Sequence, residues 1–112
     1  MTWYHGVKEG KPVIRVELSS DKAQISIIVT GTFDFSVHQA FQEAYEQGVA
    51  GHTQYVIDLN GVDYMDSAAL GMLLQLREYA GSLNSITIKT VRSDIIEILR
   101  ISNFAQMFRV ID

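Results

Sequence analysis

YVIDLNGVDYMDSAALGMLLQLREYA, residues 55–80, holds a strand, a short acidic loop and a helix in succession. Residues 55–59 join β-branched and large apolar groups in a run too short for an ordinary helix, which predicts a buried strand. Asn60-Gly61 punctuates it. From Ser67 to Ala80 the residues Leu70, Leu73, Leu74, Leu76, Tyr79 and Ala80 keep helical spacing. Asp66 is then the expected N-cap, and Ser67, Ala68 and Ala69 fall in the first turn.

A hydroxyl in a first turn lies beside backbone N–H groups that lack helical acceptors, at the positive end of the helix dipole. That backbone would accept a phosphate on Ser67 well. The phosphate would also face Asp63 and Asp66. A charge of about −1.5 to −2 beside two carboxylates rewrites a surface without having to unfold the helix, so the junction reads as a switch. Ser67 equally reads as a small polar residue that helps a helix to begin.

Working outward, residues 1–12 read as a loosely held lead-in, because Gly6, Gly10 and Pro12 discourage a regular element. Residues 13–18, VIRVEL, alternate as a half-exposed strand does. The turn cluster 19–22 and a second strand over 23–30 then predict an antiparallel hairpin. Residues 31–35 are expected as a loop from which Asp34 projects. Ser36 with Gln39 has capping-box spacing for a first helix whose apolar face is Val37, Phe41, Ala44 and Tyr45, with Gly48 as its terminator. Beyond the second helix, Gly81-Ser82 is a stop and 85–90 a strand. Asp94 with Glu97 has capping-box spacing for a third helix (Ser93 is a rival cap), with Ile95, Ile98, Leu99 and Ile101 as its apolar face. Asn103 suits a left-handed helix end, and residues 108–111 form a last strand. The order β-β-α-β-α-β-α-β predicts one α/β domain over 1–112. Its sheet should be mixed and mostly parallel, with four to five strands, right-handed crossovers and helices packed against it.

The 112 residues suffice for a core burying roughly two-thirds of the surface exposed when unfolded. Apolar residues at 47% and charged ones at 20% place the chain among globular proteins rather than disordered ones. A net charge of −4 with no basic cluster excludes the electrostatic footprint of nucleic-acid binding and disfavours an anionic membrane surface. The absence of cysteine removes thiolate catalysis and agrees with a reducing compartment. With neither a signal pattern nor a membrane-length apolar run, a cytoplasmic protein is expected.

Catalytic constellations are thin. His5, His38 and His52 lie in a lead-in, on a helix's polar side and in a loop, without ligand spacing, so no metal site is expected. No nucleophile elbow, phosphate loop or nucleotide-binding glycine pattern occurs, and no cofactor is implied. Asp34, Asp58, Asp63 and Asp66 are candidates for one acidic rim at the C-terminal ends of parallel strands. Asp58 also reads as a carboxylate that accepts loop N–H groups to fix a turn. Phe33 and Phe35 flank Asp34, and Tyr64 and Met65 precede Ser67, so aromatic and methionine side chains surround the hydroxyl as in a protein-contact patch. Phe33, Phe35 and Met65 read equally as cover for the edge of the core.

The central segment VIDLNGVDYMDSAALGMLLQL resembles the strand–loop–helix signature of the STAS domain of bacterial anti-sigma factor antagonists. GTFDFSVHQAF is similar to that family's G-x-[LF]-D segment, and SDIIEILRISNFAQMFRVI to its third helix, turn and final strand. The resemblance covers residues 13–111. It implies a non-enzymatic partner-switching protein of transcription regulation, in which Ser67 is phosphorylated by an anti-sigma factor that is a serine kinase and restored by a PP2C-type phosphatase. The unmodified form would bind the anti-sigma factor and free a sigma factor. Partner contact would involve Phe33, Asp34, Phe35, Asp63, Tyr64, Met65, Asp66 and Ser67, with Asp58 shaping the rim. The alternative within the family is a constitutive scaffold subunit of a transport or signalling complex, with Ser67 structural only. Three departures stand out: Ala68-Ala69 where many members have Ser-Gly, Asn103 where glycine is common, and no expected terminal helix.

Overall fold

The computed structural model describes residues 2–6, 13–21, 23–81, 86–102 and 109–111. In chain order these form β1 (Thr2–Gly6), β2 (Val13–Leu18), β3 (Gln24–Phe33), a 3-10 turn (Phe35–Val37), α1 (His38–Tyr45), β4 (Gln54–Met65), α2 (Ser67–Ala80), β5 (Ile86–Lys89), α3 (Ser93–Ile101) and β6 (Arg109–Ile111). Among the described residues the six strands make one sheet in the order β1-β2-β3-β4-β5-β6. The pairs β1–β2 and β2–β3 are antiparallel, and β3–β4, β4–β5 and β5–β6 are parallel. The expected mixed, mostly parallel α/β sheet is therefore present.

The register explains the layering. Val16, Ile27, Ile57 and Ile88 face one another across four strands and are all fully buried. The adjacent row, Arg15, Ile28, Asp58 and Lys89, carries charges and is at least partly exposed. Successive right-handed crossovers that always step the same way along the sheet put every helix on one face. That face carries the core: Phe41, Ala44 and Tyr45 of α1, Met72, Leu73 and Leu76 of α2, and Ile95 and Leu99 of α3 pack over it. Ile101, expected on the apolar face of α3, is instead 70% exposed, at the last residue of the helix.

Several local expectations are corrected. Thr2–Gly6, read as a loose lead-in, is a strand that extends the sheet to six; its pairing to β2 outweighs weak local preference, while 7–12 lie outside the described residues. The loops expected at 31–35 and after Leu59 are largely strand, because β3 and β4 stay paired to Phe33 and Met65. Two register shifts make this possible: β4 has one extra residue between Asp58 and Gly61 and another between Val62 and Tyr64. The Ser36–Gln39 capping box does not form; Ser36 gives its hydroxyl to Asp34, and Gln39 reaches Glu43 at 3.2 Å. The Asp94–Glu97 box also fails, because each carboxylate takes an arginine instead, Arg92 at 3.2 Å and Arg100 respectively. Gly48 is not a left-handed stop: α1 ends at Tyr45, with Glu46 in right-handed geometry. Gly81, at φ 76°, does end α2 in the left-handed conformation. Asn103 lies outside the described residues.

Candidate functional site

The site is built by two strands that end side by side. Phe33 pairs with Met65, and the N–H of Asp66 reaches the carbonyl of Phe33 at 3.4 Å. Each strand is followed by an aspartate in extended backbone that closes the next turn with its side chain. Asp34 accepts from the Ser36 N–H at 2.9 Å and from the Ser36 hydroxyl. Those two bonds, the hydroxyl first, hold the Asp34 carboxyl below the usual carboxylate range. Asp66 accepts from the N–H of Ala69 at 3.1 Å and so is the N-cap of α2. Ser67 is the first helical residue and its side chain is exposed.

Two aromatic rings stand out from this rim. Phe35 is 66% exposed and stacks on His38, with ring centroids 4.9 Å apart and planes 16° from parallel. His38, on the polar side of α1, is partly covered, and its Nε2 meets Oε1 of Gln75 at 3.3 Å, tying α1 to α2. Tyr64 is 59% exposed because the extra residue at Asp63 turns both Asp63 and Tyr64 outward. Phe33 and Met65, read from the sequence either as contact residues or as cover for the edge of the core, are 0% and 3% exposed and take the second role. Alternation along β3 points Phe33 into the core, and the extra residue before Tyr64 restores Met65 to the same face, so their side chains are not available to a partner.

Asp58 lies within β4, level with the last residue of β5 rather than at the strand's end. It accepts from the N–H of Asn60 at 2.9 Å, and Asn60 Oδ1 in turn accepts from the N–H of Val91 at 2.7 Å. This relay ties the first irregularity of β4 to the turn after β5. Val91, 66% exposed at that turn, was missed in the sequence; the inward alternation of Ile86, Ile88 and Thr90 could have pointed to it. Beside it, Arg92 grips Asp94 through Nε and Nη2 at 3.2 Å each. The bond to Asp94, its charge and, more weakly, the charge of Asp63 raise the Arg92 pKa.

Asp34, Asp58 and Asp66 each accept from a nearby backbone N–H, while Asp63 is exposed. Among the described residues no three His, Asp or Glu side chains are placed to hold a metal ion. No described helix is long and apolar enough to cross a membrane. The arrangement offers an exposed serine at a helix start, on a rim that also carries two exposed aromatic rings.

Comparison with known proteins agrees with this architecture. The family model described as Mlab, STAS domain, matches residues 16–111. A STAS-domain containing protein of Pseudomonas aeruginosa (strain UCBPP-PA14) is 43% identical over 93 residues, covering 82% of this chain and 92% of that protein. Among solved structures, an anti-sigma factor antagonist from Mycobacterium paratuberculosis superposes with a TM-score of 0.75 at 20% identity, covering 89% of this chain and 85% of that one. The Bacillus cell fate determinant SpoIIAA in its phosphorylated form superposes with a TM-score of 0.60 at 12% identity, over 88% of this chain and 91% of that one. The chain belongs to the STAS domain family.

Proposed function

We propose that this protein is an anti-sigma factor antagonist whose partner binding is switched by phosphorylation of Ser67. The unmodified chain binds an anti-sigma factor that is also a serine kinase and so frees a sigma factor. A PP2C-type phosphatase resets the phosphorylated form. The chain works in the cytoplasm by binding, not by catalysis. The observation that carries the reading is the exposed Ser67 in the first turn of α2, on a rim that also carries the exposed rings of Phe35 and Tyr64.

The physics of the switch is local. Unmodified, the rim offers apolar rings and a small neutral hydroxyl, which desolvate at little cost. A phosphate adds about −1.5 to −2 charges beside Asp34 and Asp66 and would have to be dehydrated for the partner to dock. First-turn N–H groups other than that of Ala69, which Asp66 engages, would donate to it, so the backbone need not move. Ser67→Ala is expected to retain partner binding and escape silencing, and Ser67→Glu to bind weakly. Equal affinity of both variants in a titration against the anti-sigma kinase refutes the switch.

A second reading is a constitutive subunit of a larger complex with Ser67 structural only. The family match favours it in one respect, being described as Mlab, STAS domain, and not as an antagonist. Phosphate analysis of the protein from its own cells separates the two: only the switch requires a phosphoserine at position 67.

A further inference from the structure

We infer that Gly71 is an access residue for Ser67, its missing side chain leaving open the approach to the hydroxyl. The inference rests on the reading of Ser67 as a modified residue. Gly71 lies in the interior of α2, where glycine loosens a helix relative to alanine. Nothing within the described chain accounts for it. The described glycines with positive φ are Gly31, Gly51 and Gly81, so Gly71 needs no special backbone geometry. A Cβ built on Gly71 meets nothing within 4 Å, so no neighbour demands its smallness; at Gly48 and Gly61, by contrast, a Cβ would collide.

What Gly71 does have is position. Residues four apart share a helix face, and each Cα–Cβ bond leans toward the helix N-terminus, so a side chain covers the turn before its own. A side chain at 71 would therefore overhang Ser67, one turn earlier on the exposed face. The other residue that could do so, Leu70, packs against the core. One turn further on, the carboxamide of Gln75 would lean toward Gly71, but His38 holds it toward α1 at 3.3 Å. The face above the hydroxyl is thus cleared from both positions. A kinase that must place a phosphoryl group in line with the Ser67 oxygen needs such an opening.

The test needs no partner in its first arm. The chain has no cysteine, so Ser67→Cys introduces a unique thiol. Its alkylation by iodoacetamide is measured above the thiol pKa, with position 71 as Gly, Ala, Gln or Leu. The expected result is a rate that falls progressively with side-chain size, several-fold for Gln and Leu, while Gly71→Ala raises the urea midpoint. In the second arm, phosphorylation of Ser67 by the anti-sigma kinase falls in the same order in otherwise native protein. Equal alkylation rates across the series overturn the inference and leave the Ser67 switch standing. Slowed alkylation with undiminished phosphorylation overturns it as well. Failure of the Gly71 protein itself to be phosphorylated instead refutes the switch, whatever the alkylation series gives.

Discussion

Gly48→Ala should destabilise the protein far more than a change beside a surface loop ordinarily does. The reason lies in how the end of α1 is fastened. The buried Tyr55 hydroxyl donates to the carbonyl of Tyr45 at 2.7 Å, and the Gly48 N–H donates to that same carbonyl at 3.1 Å. The Tyr79 hydroxyl donates to the Gly48 carbonyl at 2.9 Å. A methyl on Gly48 would collide with the Tyr55 oxygen and lie 2.9 Å from both Cγ2 and Oγ1 of Thr53. Displacing the phenol forfeits a buried hydrogen bond, about 1–1.5 kcal/mol, and the overpacking adds about 1–3 kcal/mol. The stiffer unfolded chain returns about 0.4–1 kcal/mol, leaving a net loss of about 1–4 kcal/mol, centred on about 2.5 kcal/mol. Urea denaturation followed by circular dichroism should show a midpoint lower by about 1 M, and thermal melting a drop of about 10 °C. Tyr55→Phe alone should cost about 1 kcal/mol, since the Tyr45 carbonyl keeps the Gly48 N–H. The double variant should cost less than the sum of the two, because the oxygen that the methyl strikes is gone. Strict additivity, or an unchanged midpoint for Gly48→Ala, refutes the packing argument.

The rim separates contact from core in a way mutants can read. Phe35→Ala and Tyr64→Ala should leave the urea midpoint nearly unchanged but weaken partner binding at least tenfold, about 1.4 kcal/mol or more. Phe33→Ala and Met65→Ala should instead cost about 2–5 kcal/mol of stability, with any loss of binding tracking the unfolded fraction. The Asp34 turn is acid-sensitive: its depressed carboxyl pKa contributes stability that is present above the unfolded value near 3.8 and lost as pH falls through the lower folded value. Ser36→Ala should move the Asp34 carboxyl up toward its ordinary range in a carbon-13 titration, and an unmoved carboxyl contradicts the assigned hydrogen bonds.

Much of this was legible because periodicity and capping act locally. The apolar rhythm of α2 and the Asp66 cap were both readable from neighbouring residues, and the extended Asp66 with its bond to Ala69 is what that reading requires. What escaped depends on pairing at a distance. Asn60-Gly61 looks like a stop in isolation, yet β3 holds this stretch in the sheet through an extra residue on each side. That continuation sends Met65 inward and Tyr64 outward, a partition no reading of 63–66 as a loop could make. The capping boxes at Ser36 and Asp94 failed for a related reason: a closer partner, Asp34 in one case and Arg92 in the other, claimed the side chain first. Thr2–Gly6 carries too weak a local signal to outweigh its glycine, and only β2 alongside makes it a strand.

The most direct test of the switch is a calorimetric titration of the anti-sigma kinase with two preparations of the native chain, one unmodified and one phosphorylated stoichiometrically at Ser67. The account predicts tight binding by the first, loss of binding by the second, and matching circular dichroism spectra for both. Equal affinities for the two preparations contradict it.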